Sequence, residues 1–246
     1  MQKAFLLIIV LAAIIFSSCK KQDTFTSAAV SEYYPLEVGK YITYDLDSTV
    51  FVNFGKKDTI IKYQAQDRID SVLTDNLGRP AYLIHRFLRK NSSQSWAPNN
   101  TFLVVPTENT IEFVENNLRY VKLTIPVTEG FTWKGNNYLP ADPYPSYDFA
   151  SAFTQDWDYT YDSLNVPLSL GSLSIDSTIK VAQIDELPGQ DPQNPATIYA
   201  ERTYSIEKYG KGIGLVYKEF LHWEYQGVTQ KGFKGFGIKL TMTDHN

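Results

Sequence analysis

Cysteine and histidine are scarce in this 246-residue sequence. Cys19 is the only cysteine, and His85, His222 and His245 are the only histidines. A lone cysteine excludes a disulfide within one molecule, although secreted chains normally carry cysteines in even numbers. The sequence also lacks a His-Glu-x-x-His pair, a Gly-x-Ser-x-Gly elbow and a phosphate-binding glycine loop. The common zinc-dependent, serine-nucleophile and nucleotide-dependent enzymes are therefore not indicated, and no metal or cofactor is predicted.

Positive charge shows neither an excess nor a local concentration. The 23 lysines and arginines are outnumbered by 27 acidic residues, which gives a formal net charge of −4. Nucleic-acid binding depends on a concentrated basic face that neutralises phosphates. The sequence therefore predicts no nucleic-acid partner.

The hydrophobic run near the amino terminus is too short to cross a bilayer as a helix. It extends from Ala4 to Phe16, and Lys3 precedes it with a positive charge. Thirteen helical residues rise only about 20 Å, whereas the hydrocarbon core is about 30 Å thick. A short apolar run between a basic residue and small residues is typical of a secretory signal peptide. We therefore predict that residues 1–18 are a signal peptide, which the mature protein lacks.

The residues at the end of this run resemble the lipobox of bacterial lipoproteins. Phe16-Ser17-Ser18-Cys19 places two small residues before a cysteine. The resemblance implies cleavage before Cys19 and attachment of acyl chains, such as palmitate, to its thiol and to the new amino terminus. Two or three acyl chains anchor a protein stably to a membrane, since each buried methylene contributes about 0.8 kcal/mol. The polar sequence that follows predicts a flexible tether, so that residues 19–31 comprise the lipidated cysteine and its tether.

Helical periodicity is missing from the remaining sequence, whereas strand-forming residues are common. The chain contains 17 tyrosines and 14 phenylalanines, and aromatic residues favour strands. Strand signals recur over residues 41–47, 59–72, 81–89, 101–106, 110–114, 119–126, 174–184, 198–208, 214–225 and 235–242. Short strands without intervening helices predict a mainly β fold, an antiparallel twisted sheet that is half-barrel or barrel-like.

Turn signals and proline-rich segments separate the predicted strands. Residues 136–145 and 187–195 each contain three prolines, which predicts long surface loops because proline is excluded from central strands. Residues 75–80 and 115–117 predict hairpin connections, since Asn, Asp and Gly tolerate the positive φ of tight turns. The glycines at 210, 212 and 214 likewise predict a turn or bulge between two strands.

The domain organisation predicted from these elements is simple. We expect residues 32–246 to form a single β-rich domain, because strand signals continue across both proline-rich loops. The alternative is a pair of subdomains divided near Gly135. A short helix is predicted near residues 150–156.

One segment carries three aromatic residues at alternate positions. In an extended strand Trp157, Tyr159 and Tyr161 share one face, and the intervening residues are mostly aspartates. If exposed, the rings would form a binding face for a sugar or a partner, and the carboxylates could bind Ca²⁺. If buried, the rings would belong to the core. The core is the preferred interpretation, because three exposed aromatic residues create a patch that drives association.

Two further segments carry a family resemblance. Residues 34–44, YPLEVGKYITY, and residues 209–218, YGKGIGLVYK, resemble segments of uncharacterised cell-envelope lipoproteins of the Bacteroidota type. The resemblance implies that the first segment begins the folded domain and that the second precedes a final strand pair. It implies a lipid-anchored protein of the outer membrane and no catalytic residue. Residues 20–23, KKQD, loosely resemble a surface-export signal, so the surface-exposed and periplasmic orientations both stay open.

The expected function follows from the anchor and from the missing catalytic motifs. We expect a non-enzymatic envelope protein that binds an envelope protein, a glycan or a hydrophobic ligand. One alternative is a glycan hydrolase that uses Asp/Glu pairs, which needs a cleft with two convergent carboxylates and a raised pKa on one of them. Another is a carrier of lipid or of another hydrophobic ligand, which needs a hollow apolar interior.

Replacing the predicted lipidation site tests the anchor. Cys19→Ala removes the thiol that the acyl chains require, so the variant should move from the membrane fraction to the soluble fraction. Carbonate washing of membranes followed by immunoblotting measures this. A Cys19→Ala variant that stays in washed membranes would contradict the anchor.

Overall fold

The computed structural model describes residues 27–149, 157–228 and 231–246. The signal peptide, Cys19 and the predicted helix near residues 150–156 lie outside the described residues. The described residues form twelve strands and two single-turn 3₁₀ helices, Val30–Glu32 and Pro145–Tyr147. The strands are β1 (Tyr41–Val52), β2 (Lys57–Thr74), β3 (Pro80–Arg89), β4 (Ala97–Pro106), β5 (Thr110–Glu115), β6 (Leu118–Thr124), β7 (Thr132–Lys134), β8 (Asp158–Leu170), β9 (Leu173–Glu186), β10 (Tyr199–Gly210), β11 (Gly214–Gln226) and β12 (Gly232–His245).

All twelve strands belong to one antiparallel sheet that follows the chain order almost throughout. The order is β6-β5-β4-β3-β2-β1-β12-β11-β10-β9-β8-β7. Only β1 and β12 are neighbours without being consecutive. Their pairing extends from Ile42–His245 to Val50–Phe236 and joins the first half of the chain to the second. A division into two subdomains near Gly135 is therefore wrong for the described residues.

The two edge strands approach each other and nearly close the sheet into a barrel. The backbone N–H of Val121 on β6 donates to the carbonyl oxygen of Gly135 at 2.8 Å. Trp133 Nε1 on β7 donates to the carbonyl oxygen of Val121 at 2.8 Å. On β8, the Tyr161 hydroxyl donates to the carbonyl oxygen of Thr124 at 2.6 Å. These hydrogen bonds satisfy groups that an open edge strand would expose.

The predicted hairpins are confirmed. Asn116 and Asn117 connect β5 to β6 with φ of 50° and 64°, the left-handed conformation that a two-residue hairpin turn requires and that asparagine tolerates. Gly212 connects β10 to β11 with a φ of 75°, where a side chain would cost about 1–2 kcal/mol. Residues 187–198 and 135–144 form loops, as the prolines predict.

The chain packs against the barrel from Ser27 onward. Ser27 Oγ accepts a hydrogen bond from the backbone N–H of Val127 at 2.6 Å, and Ala28 pairs with Val127. Val30 and Tyr33 are buried in the core. The tether predicted up to residue 31 is therefore too long, because its last residues bury apolar surface against the domain.

The two ends of the barrel differ in what closes them. The amino-terminal segment, the β2–β3 turn and the β10–β11 turn lie at one end, which we call the tether end. The β1–β2, β5–β6 and β11–β12 connections lie at the opposite end, which we call the far end. Because the strands alternate in direction, these positions follow from the strand order alone.

The predicted fold class is confirmed. The structure is 64% strand and 3% helix, well below the roughly one-third helix of an average globular protein. Within the described ranges, no helix is long or apolar enough to pass through a bilayer.

Candidate functional site

Two adjacent cavities occupy the barrel interior within the described part of the chain. Their volumes are about 170 Å³ and about 70 Å³, and both exceed the roughly 10–15 Å³ that one water molecule needs. The larger cavity lies toward the far end, where Asn116 lines it, and the smaller one lies toward the tether end, where Pro35 lines it. Both cavities are lined by Phe113, Glu115, Lys122 and Lys218.

Aromatic rings form much of the wall of the larger cavity. The ring centroids of Phe220 and Phe236 are 5.0 Å apart, and those of Tyr144 and Phe236 are 5.3 Å apart. The hydroxyls of Tyr120 and Tyr144 are hydrogen bonded at 3.2 Å. The rings that line this cavity are Phe113, Tyr120, Tyr144, Trp157, Tyr159, Phe220 and Phe236. Such a wall is apolar and is held in place by ring contacts.

The predicted aromatic row lies inside the barrel. Trp157, Tyr159 and Tyr161 are 7%, 1% and 0% exposed, so the core interpretation is confirmed and a surface platform is excluded. Tyr161 links β8 to the edge strand β6 through its hydrogen bond to Thr124, whereas Trp157 and Tyr159 line the larger cavity. The Tyr159 hydroxyl donates to Asn136 Oδ1 at 2.7 Å. Two of the three rings therefore face a space that a ligand could occupy.

The aspartates on the opposite face of β8 make ordinary ion pairs. Asp158 lies 2.9 Å from Lys134 Nζ, and Asp162 lies 2.9 Å from Lys180 Nζ. Among the residues that the structure describes, no group of three or more His, Cys, Asp or Glu side chains is arranged to hold a metal ion.

A buried carboxylate lies between the two cavities. Glu207 on β10 is 1% exposed. Its Oε1 accepts a hydrogen bond from Lys122 Nζ on β6 at 2.7 Å, and its Oε2 accepts one from the Tyr209 hydroxyl at 2.6 Å. Burial raises the pKa of Glu207, but the attraction of Lys122 and Lys218 together with these hydrogen bonds outweighs it, so the net shift is downward. Glu207 is therefore an anion that holds β6 to β10 across the interior.

A second lysine stands beside this pair. Lys218 Nζ on β11 lies 3.7 Å from Glu207 Oε1, which is an electrostatic contact beyond hydrogen-bond distance. Burial lowers the pKa of Lys122, and the charge of Lys218 lowers it further while Glu207 opposes the shift. Glu115, whose Oε1 accepts a hydrogen bond from Asn100 at 3.0 Å, is the other carboxylate of this layer. Two ammonium groups thus share one fully buried carboxylate.

A polar pair with an unsatisfied donor also lines the larger cavity. The Ser205 hydroxyl donates to Gln183 Oε1 at 2.5 Å. Gln183 is 4% exposed, and its Nε2 has no hydrogen-bond partner in the structure. Leaving such a buried donor unpaired costs about 1–3 kcal/mol. A molecule in the cavity that accepts a hydrogen bond would remove this cost.

The smaller cavity is closed by a second internal ion pair and by the amino-terminal segment. Arg86 donates two hydrogen bonds to Asp67, each of 2.6 Å. Tyr34, from the segment that precedes β1, packs against Tyr209 with ring centroids 5.9 Å apart. Burial raises the pKa of Tyr34. The Tyr34 hydroxyl is therefore neutral. The charges of Arg86 and Asp67 at this end of the interior are paired with each other.

A glycan hydrolase needs one carboxyl group that donates a proton and a second carboxylate beside it. A general acid requires a carboxyl group whose pKa is raised toward neutrality. The pKa of Glu207 is lowered, and both oxygens of Asp67 accept hydrogen bonds from Arg86. The lowered pKa of Glu207 thus argues against this residue as the proton donor.

Sequence reasoning did not find the polar residues of the cavities. Ser205, Glu207 and Tyr209 alternate along β10, a pattern that usually indicates a solvent-facing side. In the structure this side faces the interior, and all three residues are buried. No local pattern in this strand signals that the polar side faces the interior.

Two solved structures resemble the fold. One is a protein of Bacteroides fragilis NCTC 9343, provisionally named an exported protein with a YmcC-like fold. It is 10% identical with a TM-score of 0.37, and the match covers 88% of this chain and 100% of that one. The other is provisionally named a lipoprotein, from Parabacteroides distasonis ATCC 8503. It is 12% identical with a TM-score of 0.35, and the match covers 89% and 100%. No family model matches the chain, and no curated protein matches its sequence. Similarity this low assigns neither a family nor a function.

A buried histidine makes the stability of the far half of the barrel sensitive to pH. His222 on β11 is 1% exposed, and its Nδ1 lies 3.0 Å from Thr203 Oγ1. The ring of Phe149 contacts it edge to face, with centroids 4.3 Å apart. Burial lowers the pKa of His222 to about 4, against the opposing attraction of nearby carboxylates. The folded protein therefore holds this histidine neutral.

Acidification should weaken the fold through His222. The unfolded state binds the proton near pH 6.5, whereas the folded state resists it until about pH 4. Neutral His222 therefore makes its full contribution to the free energy of unfolding above pH 6.5. Roughly 3 kcal/mol of this free energy is lost as the pH falls toward 4. His222→Gln should lose less stability than the native chain between pH 7 and pH 4, as measured by urea unfolding.

The matched control is His85→Gln on β3, where the histidine is partly exposed. This variant keeps His222 and hence its contribution. Equal losses of stability in His222→Gln and in the native chain would show that the buried histidine does not set the pH dependence.

Proposed function

We propose that this chain is a lipid-anchored protein of the bacterial cell envelope, held at the outer membrane through Cys19, that binds a small ligand inside its barrel without enzymatic chemistry. The signal pattern of residues 1–18 and the lipobox-like Phe16-Ser17-Ser18-Cys19 support the location. The resemblance of residues 34–44 and 209–218 to Bacteroidota envelope lipoproteins supports it as well.

The larger cavity is the observation that carries the binding function. Ligand sites are concave, mostly apolar spaces with a few convergent polar groups. The 170 Å³ cavity has this composition, since aromatic rings line it together with Lys122, Lys218 and Gln183. A void of this size without an occupant would forfeit many packing contacts between neighbouring side chains. Its mixed apolar and polar lining is the composition on which the proposed binding of a small ligand rests.

The volume limits the size of the ligand. An engineered cavity of about 150 Å³ accommodates benzene, whereas sites for drug-sized molecules measure about 300–1,000 Å³. A volume of about 170 Å³ thus suits a molecule with roughly one ring. A long acyl chain would not lie wholly within this volume.

The position of the tether supports uptake from the aqueous phase. Cys19 and Ser27 are eight residues apart in the sequence, so the tether spans at most about 28 Å. The chain joins the barrel at the tether end, whereas the larger cavity lies toward the far end. The twelve residues of β1 span about 40 Å between the two ends. The tether therefore keeps the tether end nearer to the membrane than the cavity.

Blocking the larger cavity tests the binding function. Leu118 is partly exposed at the start of β6 and lines the cavity. Leu118→Trp places an indole where the ligand would lie, at little cost to the core. Benzyl alcohol is a neutral one-ring probe, and we expect saturable binding to the full chain in calorimetry or ligand-detected NMR. The variant should bind it at least about ten-fold more weakly, a difference of about 1.4 kcal/mol.

Leu73→Trp is the control, because Leu73 lies exposed on β2 and does not line the cavity. Its affinity for the probe should equal that of the native chain. Absence of saturable binding to the native chain, or equal affinity of the Leu118→Trp variant, would overturn the proposed function.

A further inference from the structure

Lys218, a cation at the wall of the larger cavity, has N–H donors that no described residue accepts. Lys218 Nζ carries three N–H donors. Its Nζ lies 3.7 Å from Glu207 Oε1. This ammonium donates no hydrogen bond to any other described residue. The side chain is 23% exposed, while Glu207 is 1% exposed. Lys218 can therefore move its ammonium toward a molecule in the cavity without leaving the carboxylate.

The carboxylate beside Lys218 is already occupied. Lys122 holds Glu207 Oε1 at 2.7 Å, and the Tyr209 hydroxyl holds Oε2 at 2.6 Å. The other acid of this layer, Glu115, accepts a hydrogen bond from Asn100. Lys218 is thus the second ammonium beside Glu207, and it lies beyond hydrogen-bond distance of that carboxylate, so its N–H donors are open to an acceptor in the cavity.

An independent buried donor lines the same cavity. Gln183 Nε2 has no hydrogen-bond partner among the described residues, and the Ser205 hydroxyl donates to the amide oxygen of the same side chain. The amide therefore presents an unpaired donor to the cavity. Together with the ammonium of Lys218, it forms a set of donors that suits a carboxylate group.

We infer that the ligand of the larger cavity is a one-ring molecule that bears an anionic group, with Lys218 as the residue that binds this group and Gln183 as a second donor. The inference rests on the proposed function, since it assigns the ligand class of the same cavity. The ring lies against Trp157, Phe220 and Phe236, and the anionic group points to the lysine layer. Specificity for an anion then resides in Lys218, while the aromatic wall supplies affinity for the ring.

Two probes of equal ring size separate the anionic requirement from simple cavity filling. Benzoate carries a carboxylate at pH 7.5, and benzyl alcohol is its neutral counterpart. With the full chain in an uncharged detergent, we expect benzoate to bind at least about ten-fold more tightly than benzyl alcohol. Lys218→Met keeps most of the side-chain volume and removes the charge, so it should weaken benzoate binding about ten-fold, weaken benzyl alcohol binding much less and thereby abolish the preference for benzoate.

Lys239→Met is the matched control, because Lys239 lies exposed on β12. It should keep the preference for benzoate, and so should Lys218→Arg, which retains the positive charge. Equal affinities of the native chain for the two probes overturn the inference but leave the proposed function intact. Retention of the benzoate preference in Lys218→Met also overturns it. Failure of both probes to bind the native chain overturns the proposed function and the inference together.

Discussion

The interaction on which this interior depends is the buried contact of Glu207 with Lys122 and Tyr209. Lys122 belongs to β6 in the first half of the meander, and Glu207 belongs to β10 in the second half. The ion pair therefore ties the two halves together on the side opposite the β1–β12 pairing. Ionised groups resist burial in an apolar environment unless they are paired. A layer that contains Glu207, Lys122 and Lys218 divides the interior and leaves a cavity on each side.

The fold could be predicted because strand signals are local. Alternation in the segment of β1 and asparagines between β5 and β6 indicate strands and turns without any knowledge of the tertiary structure. The predicted loops, the hairpins and the antiparallel sheet are all present in the described residues. The predicted boundary of the tether at residue 31 lies too far along the chain, because residues 19–31 show no strand alternation and so give no sign that Val30 packs in the core.

The interior site could be predicted only in part, since closure of the sheet decides what a polar residue faces. The burial of Trp157 and Tyr159 follows from their size and spacing. Glu207 and Lys122 lie 85 residues apart in the sequence, and each alone resembles a surface charge. Only the curvature of twelve strands brings them within 2.7 Å. Gln183 likewise becomes a candidate binding residue only through its position in the cavity wall, which no local sequence pattern predicts.

A double-mutant cycle on the central ion pair tests this account most directly. Glu207→Gln removes the buried charge that Lys122 and Lys218 share, so it should lower the free energy of unfolding by about 3–5 kcal/mol in urea titrations. Lys122→Met should cost less, because Lys218 still faces Glu207. The double variant should lose less stability than the sum of the single variants, by more than about 1 kcal/mol. Additive effects, or a Glu207→Gln variant as stable as the native chain, would contradict the claim that this pair holds the two halves of the barrel together.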